Sequence, residues 1–428
     1  MKTKKMSLPR VAILVILAMA LVLLAVNLFG QNEKRVRQEL RHAYDVSDPQ
    51  FLRAMGVLLG PPLLPGNRAT TLLNGDEIFP AMLDAIRSAR RSITFETYIY
   101  WSGKVGRDFA DALSAKAREG VKVSLLLDWL GSEKMDPALL SRMRQAGVRI
   151  ERYHALHWYT LDRLNNRTHR KLLVVDGRVG FTGGVGIADE WSGHAQDPEH
   201  WRDTHYRIEG PAVAQMQAAF LDNWMKVTGQ VLDGPDYFPA LQPVGPLTAQ
   251  VFKSSRDGGA ESTHLMYLLS VTAAARSIDL EMAYFVPDEL ALDALVNALK
   301  RGVRVRIIMP GPITDAKLVR RASKASWGRI LRAGAEIYEY QPTMFHCKVL
   351  VVDGLWSSVG STNFDNRSFR LNDEANLNIY DRDFAARQRA DFERDLTHAR
   401  RVSLQEWENR PWIEKAWEHV LSVADGQL

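Results

Sequence analysis

The chain has 428 residues, of which 46% are hydrophobic and 25% charged, with a formal net charge of +5. This length provides for two ordinary domains or one large duplicated one, and the composition excludes a low-complexity or fibrous protein. The basic residues are dispersed along the chain, so the net charge does not indicate a binding partner. The chain has a single cysteine, Cys347, which excludes an intramolecular disulfide and any multi-cysteine metal site.

The N-terminal segment has the pattern of a membrane anchor. Four basic residues precede residues 11–29, which contain no charged side chain. A spanning helix needs roughly 17–25 such residues, whereas the apolar core of a cleaved signal peptide is about 7–15 residues. We therefore predict an uncleaved anchor over residues 1–30, with a cleaved signal as the alternative. Basic residues flank the segment on both sides, so the positive-inside rule leaves its orientation open.

Beyond this segment the chain repeats one plan. A charged stalk or linker is predicted over residues 31–67, followed by similar halves at 68–235 and 245–405, with a join rich in proline and glycine between them. Each half reads as helix, strand, helix, strand, helix, short strand and hairpin strands. Runs of β-branched residues such as VKVSLLLD and VRVRIIM alternate with amphipathic helices. This pattern predicts two similar α/β halves with mixed sheets.

One short motif, H-x-K-x-x-x-x-D, occurs at the same place in each half. Its six defined residues are His169, Lys171 and Asp176 in the first copy and His346, Lys348 and Asp353 in the second. The apolar residues that follow each lysine indicate a strand, on which side chains two positions apart share a face. Each histidine should therefore point the same way as its lysine, while the intervening Arg170 and Cys347 point the opposite way.

The aspartates of the two copies have two interpretations. Asp176 and Asp353 are each followed by glycine, and this dipeptide is favoured in tight hairpin turns. A turn role is therefore the alternative to a catalytic role for both.

The residues after the motif differ between the copies. The second copy continues as GSTN, in which Ser361 and Asn363 offer hydroxyl and amide groups to a site, whereas the first continues as GGVG, with Gly186 in place of the asparagine. The duplicated pattern resembles the phospholipase D superfamily, whose signature is HxKxxxxDxxxxxxG(G/S)xN. Segments such as ETYIYWSGKVGRDFADAL and WRDTHYRIEGPAV are similar to bacterial cardiolipin synthases in particular.

The resemblance implies a two-histidine mechanism on a shared active site. One histidine attacks the phosphorus of a phosphodiester to form a phosphohistidine, and the other acts as general acid and then base. The motif residues are implied as catalytic, Ser361 and Asn363 as phosphate-binding, and no metal or other cofactor is required. A carboxylate downstream in the same half is expected to orient each histidine: Asp203 for the first half and Glu374 for the second.

The function implied is that of a membrane-anchored phosphatidyltransferase that makes cardiolipin from phosphatidylglycerol in the bacterial inner membrane. Phospholipids and the membrane are its expected partners, and nucleic acid is not. The alternatives are a hydrolase that uses water as acceptor, on phospholipid or nucleic-acid phosphodiesters, and a non-catalytic lipid-binding protein, which Gly186 suggests. Residues 406–428 are predicted to form an amphipathic tail that packs on the body or contacts the membrane.

Overall fold

A computed structural model describes residues 38–153, 166–255 and 262–411, together with residues 14, 15, 17–19, 22, 36 and 415. The predicted anchor and the C-terminal tail fall largely outside these residues. Within the described part of the chain, no helix is both long enough and apolar enough to cross a bilayer.

The first half contains the predicted alternation of helices and strands, preceded by a further helix and strand and followed by a further strand and helix. Its strands are β1 (Leu64–Leu73), β2 (Ser92–Thr97), β3 (Lys122–Asp128), β4 (Arg149–Tyr153), β5 (Leu172–Val175), β6 (Val179–Gly183) and β7 (Thr204–Glu209). The helices are α1 (Pro49–Leu58), α2 (Asn74–Ser88), α3 (Lys104–Arg118), α4 (Pro137–Gln145) and α5 (Val213–Thr228), with a single 3₁₀ turn at Asp189–Trp191.

The second half repeats this plan. Its strands are β8 (Leu247–Ser254), β9 (Ser277–Met282), β10 (Phe285–Val286), β11 (Arg304–Pro310), β12 (Glu336–Tyr340), β13 (Lys348–Val352), β14 (Trp356–Gly360), β15 (Phe364–Asp365), β16 (Glu374–Tyr380) and β17 (Ala399–Val402). Its helices are α6 (Ser262–Thr272), α7 (Glu289–Lys300), α8 (Lys317–Arg332), α9 (Asn366–Arg370), α10 (Arg382–Leu396) and α11 (Leu404–Glu408).

The two halves share one sheet with internal pseudo-symmetry. The strand order is β17-β12-β11-β9-β13-β14-β16-β8-β1-β7-β6-β5-β2-β3-β4, and β8 pairs antiparallel with β1 at its centre. Reading outward from this pair, β16, β14, β13, β9, β11 and β12 match β7, β6, β5, β2, β3 and β4. In each half two parallel pairings adjoin antiparallel ones. The predicted duplicated α/β fold with mixed sheets is thus confirmed.

Part of the predicted linker belongs to the folded body. Asp48 caps α1 by accepting a hydrogen bond from the backbone N–H of Gln50, and the proline at the first helical turn suits this start. Phe51 and Met55 on this helix are fully buried in the core of the second half. The ring of Phe51 meets Trp356 edge-on at 5.0 Å between centroids. The chain before the first half therefore packs against the second half.

Two short backbone bridges tie each motif histidine to the opposite half. Thr168 forms a parallel bridge with Asp373, and Arg202 forms one with Phe345. The backbone N–H of His169 donates to the carbonyl of Asp373 at 2.9 Å. The equivalent N–H of the second histidine donates to Arg202 at 2.7 Å. Each histidine is therefore fixed beside a strand of the other half.

Candidate active site

Both motif histidines line a single cavity of about 340 Å³ between the two halves. The residues that line this cavity are Tyr98, Ile99, Trp101, Arg167, His169, Lys171, Gly186, Trp191, Trp201, Tyr284, Asp315, His346, Asn363, Asp365, Arg367 and Asn372. Both histidines are more than nine-tenths buried, and so are both motif lysines. The cavity therefore gathers basic groups in a setting where water screens them weakly.

A buried carboxylate accepts a hydrogen bond from each histidine, but the pairing crosses between the halves. Nδ1 of His169 lies 2.9 Å from Oε1 of Glu374, and Nδ1 of His346 lies 2.7 Å from Oδ2 of Asp203. The expected pairing within each half is therefore wrong. The reason is the pair of backbone bridges described above, which place residues 373 and 202, and hence the carboxylates that follow them, beside the histidine of the other half.

These hydrogen bonds define the tautomer of each imidazole. A carboxylate accepts only from a protonated ring nitrogen, so each Nδ1 carries the proton and each Nε2 keeps its lone pair. Burial lowers the pKa of His169 to about 4, although Glu374 opposes the shift. Burial and the neighbouring Lys348 lower the pKa of His346, against Asp203. Both rings are therefore neutral at pH 7, with a nucleophilic nitrogen available.

The two carboxylates remain ionised despite complete burial. Burial alone would raise the pKa of Asp203, but His346 and Lys348 outweigh it and hold that pKa below its usual value. Burial would likewise raise the pKa of Glu374, but His169 and other neighbours outweigh this effect and lower that pKa. Each carboxylate can therefore stabilise an imidazolium when its histidine takes up a proton.

The motif lysines lie beside their histidines, as strand alternation predicts. Nζ of Lys171 donates to the carbonyl oxygen of His169 at 2.8 Å, and Nζ of Lys348 donates to that of His346 at 2.6 Å. Nζ of Lys348 also lies 3.1 Å from Nε2 of His346. Burial lowers the pKa of Lys171 to about 7, and it lowers that of Lys348 as well. An incoming phosphate anion would favour the charged form of both.

The motif aspartates lie at the far ends of the motif strands, away from the cavity. Asp353 adopts a left-handed backbone conformation with φ 54°, and its carboxylate accepts from the backbone N–H groups of Ala275, Arg276 and Ser277. Asp176, with φ 52°, makes the same contacts to the N–H groups of residues 90–92. These contacts favour the turn interpretation for both aspartates over the catalytic one.

Of the two predicted phosphate ligands, only Asn363 lines the cavity. Its Oδ1 is buried and makes no hydrogen bond to any residue that the structure describes. Ser361 is fully buried, and its hydroxyl donates to Oε2 of Glu374. Ser361 does not line the cavity, so its contact with Glu374 favours a positioning role over the predicted phosphate-binding role.

The glycine that replaces asparagine in the first copy makes room for a tryptophan. A Cβ atom at Gly186 would lie 2.9 Å from Cβ of Ile99 and 3.1 Å from ring carbons of Trp191. Nε1 of Trp191 donates to Oδ2 of Asp203 at 2.9 Å, and its ring meets His346 edge-on at 5.3 Å. Trp191 therefore occupies the space that an asparagine would need and supports the carboxylate beneath His346.

The residues between each histidine and lysine face away from the cavity, as predicted. Arg170 is fully buried and donates to the carbonyls of Ala219, Glu374 and Ser254. Cys347 is fully buried, with its Sγ 3.9 Å from the carbonyl oxygen of Arg202. Burial raises the pKa of its thiol well above the usual value. A thiol in this position is poorly suited to nucleophilic attack.

Three further histidines of the described chain lie outside the cavity lining. His194 and His200 pair with Asp76 and Asp197, and His205 is buried. One group of described residues has side-chain donors close enough to share an ion: Glu281, Cys347 and Asp395. Asp395 is already held by three hydrogen bonds from the guanidinium of Arg202. That group lies behind the cavity wall rather than in it.

Several residues that line the cavity carry no sequence motif. Tyr98 meets His169 at 5.4 Å between ring centroids, and Trp201 and Tyr284 meet His346 at 5.6 and 6.3 Å. They come from loops that the sheet brings together, so no spacing along the chain predicts them. Arg167 lies two positions before His169, so the alternation that relates His169 to Lys171 also predicts that Arg167 shares their side.

A family model described as the phospholipase D-like domain of cardiolipin synthase matches residues 82–224 and 268–396. A cardiolipin synthase of Geobacillus kaustophilus is 36% identical over 84% of this chain and 72% of its own length. Cardiolipin synthase A of Pseudomonas syringae is also 36% identical, over 83% of this chain and 74% of its own.

Among solved structures, phosphatidylserine synthase of Haemophilus influenzae superposes with a TM-score of 0.64. The match covers 89% of this chain and all of that one at 13% sequence identity. At this identity the similarity is one of fold. The superposition extends over both halves of this chain.

Proposed function

Because the chain belongs to the cardiolipin synthase family of phospholipase D-like enzymes, we propose that its cavity transfers a phosphatidyl group to phosphatidylglycerol through a covalent phosphohistidine. The enzyme is a phosphatidyltransferase of the phospholipase D type. The observation that supports the mechanism best is the pair of histidines in one cavity, each with Nδ1 bound to a buried carboxylate and Nε2 unprotonated.

In the first half-reaction, Nε2 of one histidine attacks the phosphorus of the donor phosphodiester. A P–N bond forms as the P–O bond to the head group breaks, and the leaving oxygen takes a proton from Nε2 of the other histidine, protonated once substrate is bound. In the second, the acceptor hydroxyl gives its proton to that histidine and attacks the phosphorus, which releases the first imidazole. The scheme holds whichever histidine attacks.

The other groups stabilise charge on the non-bridging phosphate oxygens. We propose that Lys171, Lys348 and Asn363 donate to these oxygens as the transition state forms. Glu374 and Asp203 hold the two imidazoles in the productive tautomer and stabilise whichever one is protonated. Ser361 and Trp191 in turn donate to these carboxylates. Such fixed donors supply the stabilisation for which many phosphoryl-transfer enzymes use a metal ion.

We also propose that the chain is held at the bacterial inner membrane by an anchor over residues 1–30. Its uncharged segment is long enough to span the hydrocarbon layer, and it would keep the cavity close to lipid substrates. The halves are proposed to extend over 68–235 and 245–405, with a tail over 406–428. We propose in addition that phosphatidylglycerol serves both as the donor of the phosphatidyl group and as its acceptor.

The test is a product analysis with purified full-length protein and acyl-labelled phosphatidylglycerol in mixed micelles. Cardiolipin and free glycerol are the expected products, and quenching with detergent at alkaline pH should trap a phosphatidyl adduct on histidine that acid then releases. Phosphatidic acid as the sole lipid product would replace the transferase with the hydrolase. Lipid binding without any turnover would support the non-catalytic alternative. His169→Ala and His346→Ala should each abolish product formation.

A further inference from the structure

The pseudo-symmetric cavity is electrostatically one-sided. The histidines, lysines and orienting carboxylates are matched between the halves, but two arginines that line the cavity have no matching partner. Arg167 lies two residues before its motif histidine, where the second half has Met344, and Arg367 lies four residues after Asn363. The residue four places after Gly186 is Glu190. Neither counterpart is basic, and neither lines the cavity.

Arg167 is a buried cation that is incompletely paired. It is 8% exposed, and its Nη1 donates to the backbone carbonyl of Asn166 at 2.9 Å. Its Nε has no hydrogen-bond partner among the described residues, and its guanidinium stacks over Trp129 at 5.1 Å. A buried guanidinium with donors left over carries a desolvation penalty that an anion would offset.

The carboxylate of Asp128, which attracts Arg167, does not provide a hydrogen-bond acceptor for its guanidinium. The oxygens of Asp128 accept from the backbone N–H groups of Leu130, Gly131 and Thr168. In the described chain no ion pair within 4.0 Å joins Asp128 to Arg167. Asp128 therefore attracts the arginine from a distance while its own hydrogen bonds are made elsewhere.

Arg367 brings a second positive charge to the same end of the cavity. Burial is the main cause that lowers the pKa of Arg167, and Arg367 lowers it further by repulsion. Burial and the charge of Asp128 raise the pKa of Tyr98, and both guanidinium groups oppose this rise, so both lie near that phenol. The ring of Tyr98 is 5.4 Å from that of His169, which places the two arginines on the His169 side.

Two described carboxylates, those of Asp365 and Asp315, also line the cavity. Asp365 accepts from the backbone N–H of Ser368, and burial raises the pKa of its carboxyl to about 7, so it is only partly ionised at neutral pH. Asp315 accepts a hydrogen bond from the Tyr284 hydroxyl at 2.6 Å, and it raises the pKa of Tyr98, so it lies near the same phenol as the arginines. Each of these carboxylates has a hydrogen-bond donor of its own, whereas Nε of Arg167 has no acceptor among the described residues.

We propose that Arg167 and Arg367 form a second anion subsite, which binds the phosphodiester of the acceptor lipid while its hydroxyl attacks the phosphohistidine. This inference rests on the proposed function, and it identifies the phosphodiester as the part of the acceptor lipid that the enzyme recognises. In phosphatidylglycerol the attacking hydroxyl is separated from that lipid's own phosphate by a three-carbon bridge, so a second phosphate must lie near the reacting one. Guanidinium groups suit it because they bind phosphate with two donors at once.

The subsite selects between acceptors after the covalent intermediate has formed. Water and simple alcohols carry no phosphate and gain nothing from the arginines, whereas an anionic lipid gains hydrogen bonds to both. Cardiolipin, phosphatidic acid and a phosphatidyl alcohol all arise from one intermediate. Their ratio therefore reports acceptor recognition alone and does not depend on how well the donor is bound.

The experiment measures this partition for full-length protein with acyl-labelled phosphatidylglycerol and ethanol in the same micelles. Arg167→Met, which copies the counterpart Met344, and Arg367→Met should each lower the ratio of cardiolipin to phosphatidylethanol by about tenfold or more, the loss expected for a hydrogen bond to a charged group. Arg167→Lys, which keeps the charge but loses the planar fork, should lower it less. Arg118→Met, an exposed site at the end of α3, should leave the ratio unchanged.

Each other outcome has a distinct meaning. An unchanged ratio in both arginine variants, with cardiolipin formed by the wild type, would overturn the subsite. A parallel fall of both products at constant ratio would assign the arginines to the donor and would also overturn it. If the wild type forms phosphatidylethanol but no cardiolipin, the proposed function fails, and the acceptor subsite fails with it. Arg367 is only partly buried, so its variant is a safeguard if Arg167→Met does not fold.

Discussion

Nδ1 of His169 lies 2.9 Å from Oε1 of Glu374, although the two residues are 205 positions apart and belong to different halves of the chain. The other motif histidine makes the equivalent contact between the halves, with Nδ1 of His346 2.7 Å from Oδ2 of Asp203. Neither half therefore provides the carboxylate that pairs with its own motif histidine. Both pairs form only when the two halves are packed together, so the proposed mechanism requires both halves.

The crossed pairing can be tested by histidine NMR. Glu374→Gln should shift the Nδ1 resonance of His169 and leave that of His346 in place, and Asp203→Asn should do the reverse. Turnover should fall by about 100-fold or more in both variants, because an amide no longer fixes the tautomer or stabilises the imidazolium. A shift of the histidine in the same half as the substituted carboxylate would contradict the crossed pairing. Glu119→Gln, at an exposed site after α3, provides the control spectrum.

The fold and the key side chains follow from local patterns, whereas the pairing does not. Strand alternation is a property of a few residues, so it correctly predicts that Lys171 shares the cavity with His169 and that Arg170 does not. The choice between Glu374 and Asp203 depends on the bridges Thr168–Asp373 and Arg202–Phe345, which exist only after the halves dock. A long-range backbone contact of this kind leaves no periodic signal in the sequence.

The motif aspartates give a prediction about stability. Asp353→Ala should lower the free energy of unfolding by about 2–4 kcal/mol, because three backbone N–H groups lose their acceptor and alanine is strained at φ 54°. Activity per folded molecule should remain within a few-fold of the wild type. Urea unfolding monitored by fluorescence, together with turnover below the transition, separates the two effects. A stable variant without turnover would restore the catalytic interpretation.

A buried histidine outside the mechanism makes stability dependent on pH. His205 is 1% exposed, and burial, with a contribution from Lys171, lowers its pKa to about 3, against the opposing effect of Asp203. The unfolded chain takes up a proton near pH 6.5, whereas the folded protein does not until about pH 3. The contribution of neutral His205 to the free energy of unfolding is therefore fully present above pH 6.5, and it is lost as the pH falls towards 3.

From pH 6.5 to 4.5, this residue should contribute about 2–3 kcal/mol of that loss. His205→Gln, which cannot titrate, should show a flatter dependence of unfolding free energy on pH over this interval. His194→Gln, at an exposed site, is the matched control and should follow the wild type. Identical slopes for the wild type and His205→Gln would show that this histidine does not resist protonation in the folded state.

Restoring the family asparagine in the first motif copy should impair the enzyme. Gly186→Asn would force its Cβ against Ile99 and the ring of Trp191, at a cost of about 1–3 kcal/mol. Displacement of the indole would break its hydrogen bond to Asp203, so turnover should fall as well. Thermal unfolding and the product assay measure the two losses. Higher activity in the variant would show that the glycine is a defect of the site rather than space for Trp191.

The single cysteine should be dispensable. Cys347 sits between His346 and Lys348 but faces the opposite side of the strand, fully buried and near the Arg202 carbonyl. Cys347→Ser and Cys347→Ala should therefore keep most of the activity, whereas His346→Ala should lose it. The native protein should also resist alkylation by iodoacetamide, because burial raises the pKa of the thiol and excludes the reagent. Loss of activity in step with alkylation of the folded enzyme would instead make the thiol part of the site.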